Sequence, residues 1–396
     1  MDLFKKCDDF YDYYINHDAV TQGSYPYFIA NRSTSPTEAI VDGDTKLVIG
    51  SNNYLGLTHH PKVLEAARDA LMAYGSGCTG SRFLNGTLDL HEELEERLAR
   101  FSGKEASLVF STGYQTNLGT LHALLDRKDV AFLDADSHAC IVDGAMVAFG
   151  KMVRFRHNDM QDLAAKLGSN TASGGRLVAT DGVFSMSGAI ADLPDLLKAA
   201  RPHGARVMVD DAHSVGVLGD TGAGTAEHYG VTDQVDLITA TFSKSFACIG
   251  GYVAGSKEVI NFIKHKARSF IFSASMPPSA VATVLAALDV IQAEPERREQ
   301  LWRNTKMMHE GLRSLGFDIG DTQTPVVPIM IGDDMKAFTF WRGLFDAGIF
   351  ANTAVSPAVP PNTARIRTSF TAAHTEDQLT YVLETFETIG RQLGVI

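Results

Sequence analysis

The stretch Asp236–Gly251, D-L-I-T-A-T-F-S-K-S-F-A-C-I-G-G, sets the reading of the whole chain. Leu237–Thr241 is a β-branched, apolar run of the kind that sheets bury. It stops at small polar residues around one lysine, Lys244, and then meets the turn signal Gly250–Gly251. A lysine at the end of a buried strand is set up for chemistry. Water keeps an amine protonated, with a pKa of about 10.4, whereas an apolar site disfavours the ammonium and frees the nitrogen to attack a carbonyl. Taken alone, the stretch also fits a solvated lysine just past a strand; what changes the odds lies upstream.

Residues Arg206–Gly216 read R-V-M-V-D-D-A-H-S-V-G, a short apolar strand followed by Asp210 and Asp211, with His213 three positions after the first. Either carboxylate fits a metal ligand, a general acid or a turn former. A strand-end aspartate and a strand-end lysine 34 residues apart (244 − 210) suggest adjacent parallel strands meeting at one site. There an aspartate can hold a proton on a pyridine nitrogen while the lysine carries the aldehyde as a Schiff base. That is the chemistry of pyridoxal 5'-phosphate.

Seven apolar runs alternate with helical or loop segments between Ser107 and Gly255: Leu108–Phe110, Val130–Leu133, Met152–Phe155, Leu177–Ala179, Val207–Val209, Leu237–Thr241 and Tyr252–Ala254. The alternation predicts an α/β fold with a mostly parallel seven-stranded sheet flanked by helices, and ligands at the strand carboxyl ends. Upstream, Asp42-Gly43-Asp44-Thr45 between Ala39–Val41 and Lys46–Ile49 is a hairpin signal. Pro61–Tyr74 reads as a helix with Leu64, Ala67 and Leu71 on its apolar face and Gly75 as its stop, and Asp89-x-x-Glu92 as a capping box opening a second helix. Downstream, Val326–Ile331, a helix over Lys336–Ala347 and Arg365–Phe370 compose a smaller α/β unit. The expected organisation is an N-terminal arm and hairpin segment over 1–58, a large domain over 59–285 and a small C-terminal domain over 286–396.

Composition narrows the function. A net charge of −12 argues against nucleic-acid binding, which rests on Lys and Arg neutralising phosphates. Cys7, Cys78, Cys140 and Cys248 form no C-x-x-C pair, so neither a zinc site nor a disulfide framework is indicated, and reduced thiols in a cytoplasmic protein are expected. Met1–Tyr14 carries charges among its aromatics and has no apolar leader core. No run reaches the roughly 18 apolar residues that span a bilayer; the longest candidate, Ser279–Ile291, is interrupted by Asp289 and reads as a core helix. Phe4, Phe10, Tyr11, Tyr13 and Tyr14 make an aromatic segment that needs another surface, read as an arm on a partner subunit, with at most peripheral membrane contact because it is not basic.

Six ordered motifs resemble the α-oxoamine synthases: S-N-N-Y-L-G-L at 51–57, G-S-G-C-T-G-S-R-F-L-N-G-T at 75–87, F-S-T-G-Y-Q-T-N-L-G at 110–119, D-A-D-S-H-A at 134–139, V-D-D-A-H-S at 209–214 and T-F-S-K-S at 241–245. These are fold-type-I pyridoxal-phosphate enzymes that condense an amino acid with an acyl-CoA thioester. The resemblance implies that Lys244 binds the cofactor aldehyde, Asp210 pairs with its ring nitrogen, His138 stacks on the ring and His213 contacts the phenolic oxygen. Gly113 and Tyr114 would bind the phosphate, Thr241 and Ser243 would add hydroxyls, and Ser273, in F-S-A-S-M-P-P, would reach the phosphate of a neighbouring subunit, making a homodimer with shared sites. Arg367, in A-R-I-R-T-S-F, would clamp the amino-acid carboxylate with Asn53 as a helper. No metal is implied.

T-F-S-K-S, V-R-F-R-H-N at 153–158 and N-T-A-V-S-P-A-V-P at 352–360 resemble the branch that condenses L-serine with a long-chain acyl-CoA in a decarboxylative Claisen reaction. Relatives that use glycine or alanine with shorter thioesters are the main rival, followed by an aminotransferase and by a non-catalytic subunit of the same fold. Three departures stand out: Asp181 and Asp211 where relatives often carry Glu, and Ala247-Cys248-Ile249 in place of a more glycine-rich stretch.

Overall fold

All seven apolar runs are strands of one sheet in the computed structural model, which describes residues 2–396. They are β1 (Ala106–Phe110), β2 (Val130–Asp134), β3 (Lys151–Phe155), β4 (Arg176–Asp181), β5 (Arg206–Asp210), β6 (Leu237–Thr241) and β7 (Gly251–Gly255). Their order is β1-β7-β6-β5-β4-β2-β3. Only β7 runs antiparallel to its neighbours, β1 and β6.

The central strands are apolar and buried because both faces of the sheet are covered, whereas the edge strand β3 exposes Lys151, Met152 and Arg154. Alternate residues serve opposite cores. Leu108, Phe110, Leu133, Leu177, Met208 and Leu237 pack on one side with Leu121, Ile141, Ile260 and Ile263 from three helices. Val130, Phe132, Val178, Val207, Val209 and Ile238 pack on the other with Leu163, Leu167, Leu196 and Leu197. Parallel pairing of β5 with β6 sets Asp210 opposite Thr239. The carboxyl ends of these two strands therefore open on the same edge.

By its internal contacts the chain divides into Asn52–Leu301, which holds the sheet, and a second unit made of the residues up to Ser51 together with Trp302–Ile396. The boundary anticipated at 285/286 falls inside the helix Pro278–Ala293. That helix is buried on most of its surface and lies against the helices Pro61–Tyr74 and Asp89–Phe101, so it stays with the sheet. The segment anticipated as separate over 1–58 supplies Val41, Leu47 and Ile49 to the core of the second unit, beside Trp341, Phe370 and Phe386. Its hairpin forms as expected, Glu38–Val41 against Asp44–Val48, with Asp42 and Gly43 both at positive φ (52° and 90°), as a tight two-residue turn requires.

Two local readings are corrected. The helix Pro61–Tyr74 forms, but it buries Val63 and Ala70, while Leu64 and Leu71 stand 52% and 42% exposed. The neighbouring helix meets its small residues, and the larger leucines face outward. The helix expected to open with an Asp89/Glu92 box begins one residue earlier in its cap geometry: Leu88 is the N-cap, and its N–H donates to Nδ1 of buried His91 at 3.0 Å. Asp89 instead accepts from the Tyr74 hydroxyl at 2.9 Å.

In the second unit β8 (Val326–Gly332), β9 (Asn352–Ala354) and β10 (Ala364–Ser369) form an antiparallel sheet in the order β8-β10-β9, backed by helices Asp334–Asp346 and Glu376–Gln392. The last helix opens with a capping box in which Thr375 Oγ1 accepts from the Gln378 N–H while the Gln378 side chain accepts from the Thr375 N–H. Thr375→Ala should lower the stability of this unit by about 1 kcal/mol, read as a reduced midpoint in urea unfolding.

Candidate active site

The carboxyl ends of β2, β4, β5 and β6 surround a cavity of about 340 Å³ in the sheet-bearing unit. Gly113, Tyr114, His138, Asp210, His213, Thr241, Ser243 and Lys244 all line it. Residues drawn from four motifs spread over more than a hundred positions thus meet in one place. A larger cavity, about 580 Å³, lies at the amino ends of the strands, but its charged residues are engaged elsewhere. Lys104 Nζ donates to the Val235 carbonyl at 2.6 Å and Arg206 to Asp236 at 2.8 Å.

The helix Gly113–Leu124 starts at the cavity wall with Thr112 as its N-cap, whose Oγ1 accepts from the Gln115 N–H at 3.1 Å. The first-turn amides of a helix have no intrahelical acceptor and point at any anion placed before them. A side chain at Gly113 would fill that place: a Cβ there would lie 2.6 Å from Thr241 Cβ. Thr241 Oγ1 and Ser243 Oγ are 2.9 Å apart on the facing loop. Bare amides, two hydroxyls and a glycine at the close approach fit a phosphate.

The two adjacent acids separate cleanly. Asp210 faces the cavity, its Oδ1 accepting from the Ala212 N–H at 3.0 Å and its Oδ2 from Asn117 Nδ2 at 2.7 Å. Asp211 points to the other side of the sheet, where it accepts from the Ser214 hydroxyl at 2.6 Å and from the Thr225 N–H. Neighbouring residues of an extended chain face opposite ways, which assigns chemistry to the first and structure to the second.

His138 is the N-cap of the helix Ala139–Val147; its own N–H donates to Asp181 Oδ2 at 2.9 Å. Its Nδ1 accepts from the Cys140 N–H at 3.2 Å and sits 2.9 Å from Cys140 Sγ. Burial, with help from the Lys244 ammonium, holds this imidazole below its ordinary pKa against the pull of Asp210. Burial and the neighbouring Asp210 push the Cys140 thiol up, so the S–H stays protonated and can donate to Nδ1. Burial and Asp210 likewise push Asp181 well above the usual carboxylate range. His213 Nδ1 lies 2.6 Å from the Tyr54 hydroxyl, and both side chains are buried.

A lysine, an aspartate, a flat neutral imidazole and an anion cradle around one cavity is the donor set a phosphorylated pyridine aldehyde needs. The family model for class I and II aminotransferases matches residues 44–386. The chain belongs to that family. Within it, the serine palmitoyltransferase of Sphingobacterium spiritivorum is 49% identical over 375 residues, covering 95% of this chain and 94% of its own. The 8-amino-7-oxononanoate synthase of Thermoanaerobacter pseudethanolicus is 41% identical over 375 residues, covering 94% and 95%. Among solved structures, a variant of the S. paucimobilis serine palmitoyltransferase with a bound PLP–myriocin aldimine superposes with a TM-score of 0.96 at 39% identity, over 100% of both chains.

Three residues named from the sequence do not line the cavity of this class I and II family member. Ser273 Oγ accepts from Gln115 Nε2 at 3.1 Å within the same chain. Asn53 is buried, its Nδ2 donating to Thr58 Oγ1 at 2.9 Å. Arg367 belongs to the other unit, buried on β10 with Nη1 donating to Ser369 Oγ at 3.2 Å. Sequence reasoning missed four residues that matter at the cavity: Tyr54, Asn117, Cys140 and Asp181. Asn117 follows Gly113 by one helical turn and Asp181 ends β4 as Asp210 ends β5, so both carried a signal; Cys140 carried none. Among the described residues no cluster of His, Cys, Asp and Glu could hold a metal ion.

The buried Asp211 makes a testable contribution to stability. Burial, partly offset by its hydrogen bonds from Ser214 and Thr225, pushes its carboxyl up from 3.8 to about 6. The folded chain therefore binds this proton more tightly than the unfolded one. The stabilisation is complete below pH 3.8 and is lost as pH rises through about 6. Asp211→Asn removes the dependence, so between those values the unfolding free energy of the parent should fall relative to the variant by up to about 3 kcal/mol, measured by urea unfolding across the range.

Proposed function

We propose that the protein is a serine palmitoyltransferase: it condenses L-serine with palmitoyl-CoA or a similar long-chain acyl thioester, giving 3-oxosphinganine, coenzyme A and carbon dioxide. The observation that carries the reading is the meeting of the Lys244 amine and the Asp210 carboxylate in one cavity beside the Gly113 helix end. The identity of 49% to a serine palmitoyltransferase, over nearly the whole of both chains, supports the choice of reaction.

Pyridoxal phosphate is the cofactor. Gly113 and Tyr114 with the hydroxyls of Thr241 and Ser243 hold its phosphate, Asp210 its ring nitrogen, His138 its ring face, His213 its phenolic oxygen and Lys244 its aldehyde carbon. When bound, it supplies an electron sink for the pair left on serine Cα after deprotonation. Lys244 Nζ would take that Cα proton as general base. Asp210, held by two N–H donors, keeps the proton on the ring nitrogen. His138, with Nδ1 committed to Cys140, carries its proton on Nε2 and adds no positive charge to the pocket. A C–C bond would form between serine Cα and the thioester carbonyl carbon as the C–S bond breaks; the coenzyme A thiolate would take a proton from solvent, the serine carboxylate would leave as carbon dioxide, and the electron pair left on Cα would take back the proton held by Lys244.

Arg367, with Asn53 as a helper, is assigned the serine carboxylate on the strength of its motif and its bidentate geometry. Ser273 is assigned to the partner's phosphate in a homodimer with shared sites. Support for a dimer comes from large apolar side chains exposed on the sheet-bearing unit, among them Leu64, Met72, Phe83, Leu84 and Phe272. The aromatic helix Lys5–Ile15, with Phe4, Phe10, Tyr11 and Tyr13 exposed, is assigned to the same partner. Among the described residues no helix is long and apolar enough to cross a membrane. Free thiols at all four cysteines favour a cytoplasmic enzyme with at most peripheral membrane contact.

The purified protein with pyridoxal phosphate should absorb in the visible, and Lys244→Ala should abolish that band. Asp210→Asn should keep the cofactor yet lose turnover by about a hundredfold or more. Coenzyme A release should be fastest with serine and long-chain thioesters when serine, glycine, alanine and threonine are each offered with thioesters of graded length. Release with alanine or glycine and short chains, and none with serine, would move the protein to another α-oxoamine synthase, a reading kept open by the 41% identity to an 8-amino-7-oxononanoate synthase.

A further inference from the structure

Asp210 does not stand alone at the cavity. Asn117 Nδ2 donates to Asp210 Oδ2 at 2.7 Å and to Cys140 Sγ at 3.1 Å, while Asn117 Oδ1 accepts from the Thr239 hydroxyl at 2.8 Å. Thr239, Asn117 and Asp210 are 0%, 2% and 3% exposed, so the arrangement is shielded from bulk water. All four polar positions of the amide are accounted for except one lone pair. Turning the amide over would set its oxygen against the carboxylate, so its orientation is fixed from both ends. With the Ala212 N–H on Oδ1, each oxygen of Asp210 has one protein donor and the carboxylate cannot rotate.

The partners come from two rigid elements in matched register. Thr239 and Thr241 lie two apart on β6, about 6.6 Å at the usual strand rise. Gly113 and Asn117 lie four apart on one face of their helix, about 6.0 Å at the helical rise. Thr241 closes on Gly113 at the anion cradle, and Thr239 bonds Asn117 one turn deeper. A single strand and helix thereby set the spacing between the phosphate end of the cavity and the carboxylate end.

We infer that Asn117 and Thr239 are positioning residues, which act through Asp210 to hold its carboxylate in the orientation that pairs with the cofactor ring nitrogen; a mis-turned carboxylate leaves a buried charge unpaired against the ring, a cost that the neutral amide of Asp210→Asn does not carry. This rests on the reading of the cavity as a pyridoxal-phosphate site. Neither residue is placed against substrate; Asn117 acts by denying Asp210 rotation, and Thr239 by giving the buried amide oxygen its donor. The hydrogen bond from Asn117 ends on a charged group, the kind whose removal is most costly.

The test is a comparison of pyridoxal-phosphate dissociation constants, with serine kinetics alongside, for the parent, Asn117→Leu, Thr239→Val, Thr239→Ser, Asp210→Asn and the double variant Asn117→Leu/Asp210→Asn. Asn117→Leu should bind the cofactor about tenfold more weakly and lose kcat with little change in KM for serine. Thr239→Val should fall in the same direction by less, and Thr239→Ser, which keeps the hydroxyl, should match the parent. In the Asp210→Asn background Asn117→Leu should add nothing further, because the carboxylate it orients is gone. Parent-like binding by Asn117→Leu, or an equal loss with and without Asp210, would overturn the inference. If Asn117→Leu does not fold, the Thr239 pair decides: a valine variant that binds like the serine variant overturns it. A parent protein that shows no Lys244-dependent visible band defeats the cofactor reading itself, a result distinct from any of these.

Discussion

Parallel pairing of two neighbouring strands, β5 and β6, is the constraint from which the site follows. Because they run the same way, their last residues emerge on one edge of the sheet, and register sets Asp210 beside Thr239. An antiparallel partner would have sent the lysine loop to the opposite edge. The pairing holds only because helices cover both faces, which in turn demands the apolar runs of the central strands, while the edge strand β3 carries exposed Lys151 and Arg154. The placing of Lys244 at the cavity thus depends on residues such as Val207, Val209 and Ile238 that do not line it.

Charge inside the cavity is set by the same burial. Two carboxyl groups, Asp210 and Asp181, share a water-poor space with one amine, an imidazole and a thiol. Burial disfavours every charged form there, and the neighbours decide which groups keep theirs. Asp181 and Cys140 are driven toward their protonated states and His138 toward its neutral one.

Much of this was legible in the chain itself, and the reason is physical. Strands buried on both faces write themselves as apolar runs, so all seven could be placed, and residues at the ends of such runs have few roles other than chemistry or turns. Asp210 and Lys244 were readable for that reason. The helix Pro61–Tyr74 was legible in extent but not in facing, because a helix that presents Leu64 and Leu71 to the outside mimics one that buries them. The cap at His91 escaped because histidine is not a common N3 partner, and the pairing needs a buried acceptor, the Met276 carbonyl, from 185 residues away. Cys140 acquires meaning only from what faces it across the fold, Asn117 and His138, which no local pattern records.

The close approach of Gly113 to Thr241, and of Gly251 to Gly113, where an added Cβ would lie 2.7 Å from the Gly113 Cα, leaves no slack between helix and sheet at the cavity wall. Inserting or deleting one residue between Gly113 and Asn117 would swing everything beyond it by about 100° around the helix axis. Chain length in this turn is therefore frozen, whatever its side chains. Divergence toward other amino acids or other thioesters has to be written into segments that can still lengthen, shorten or bend.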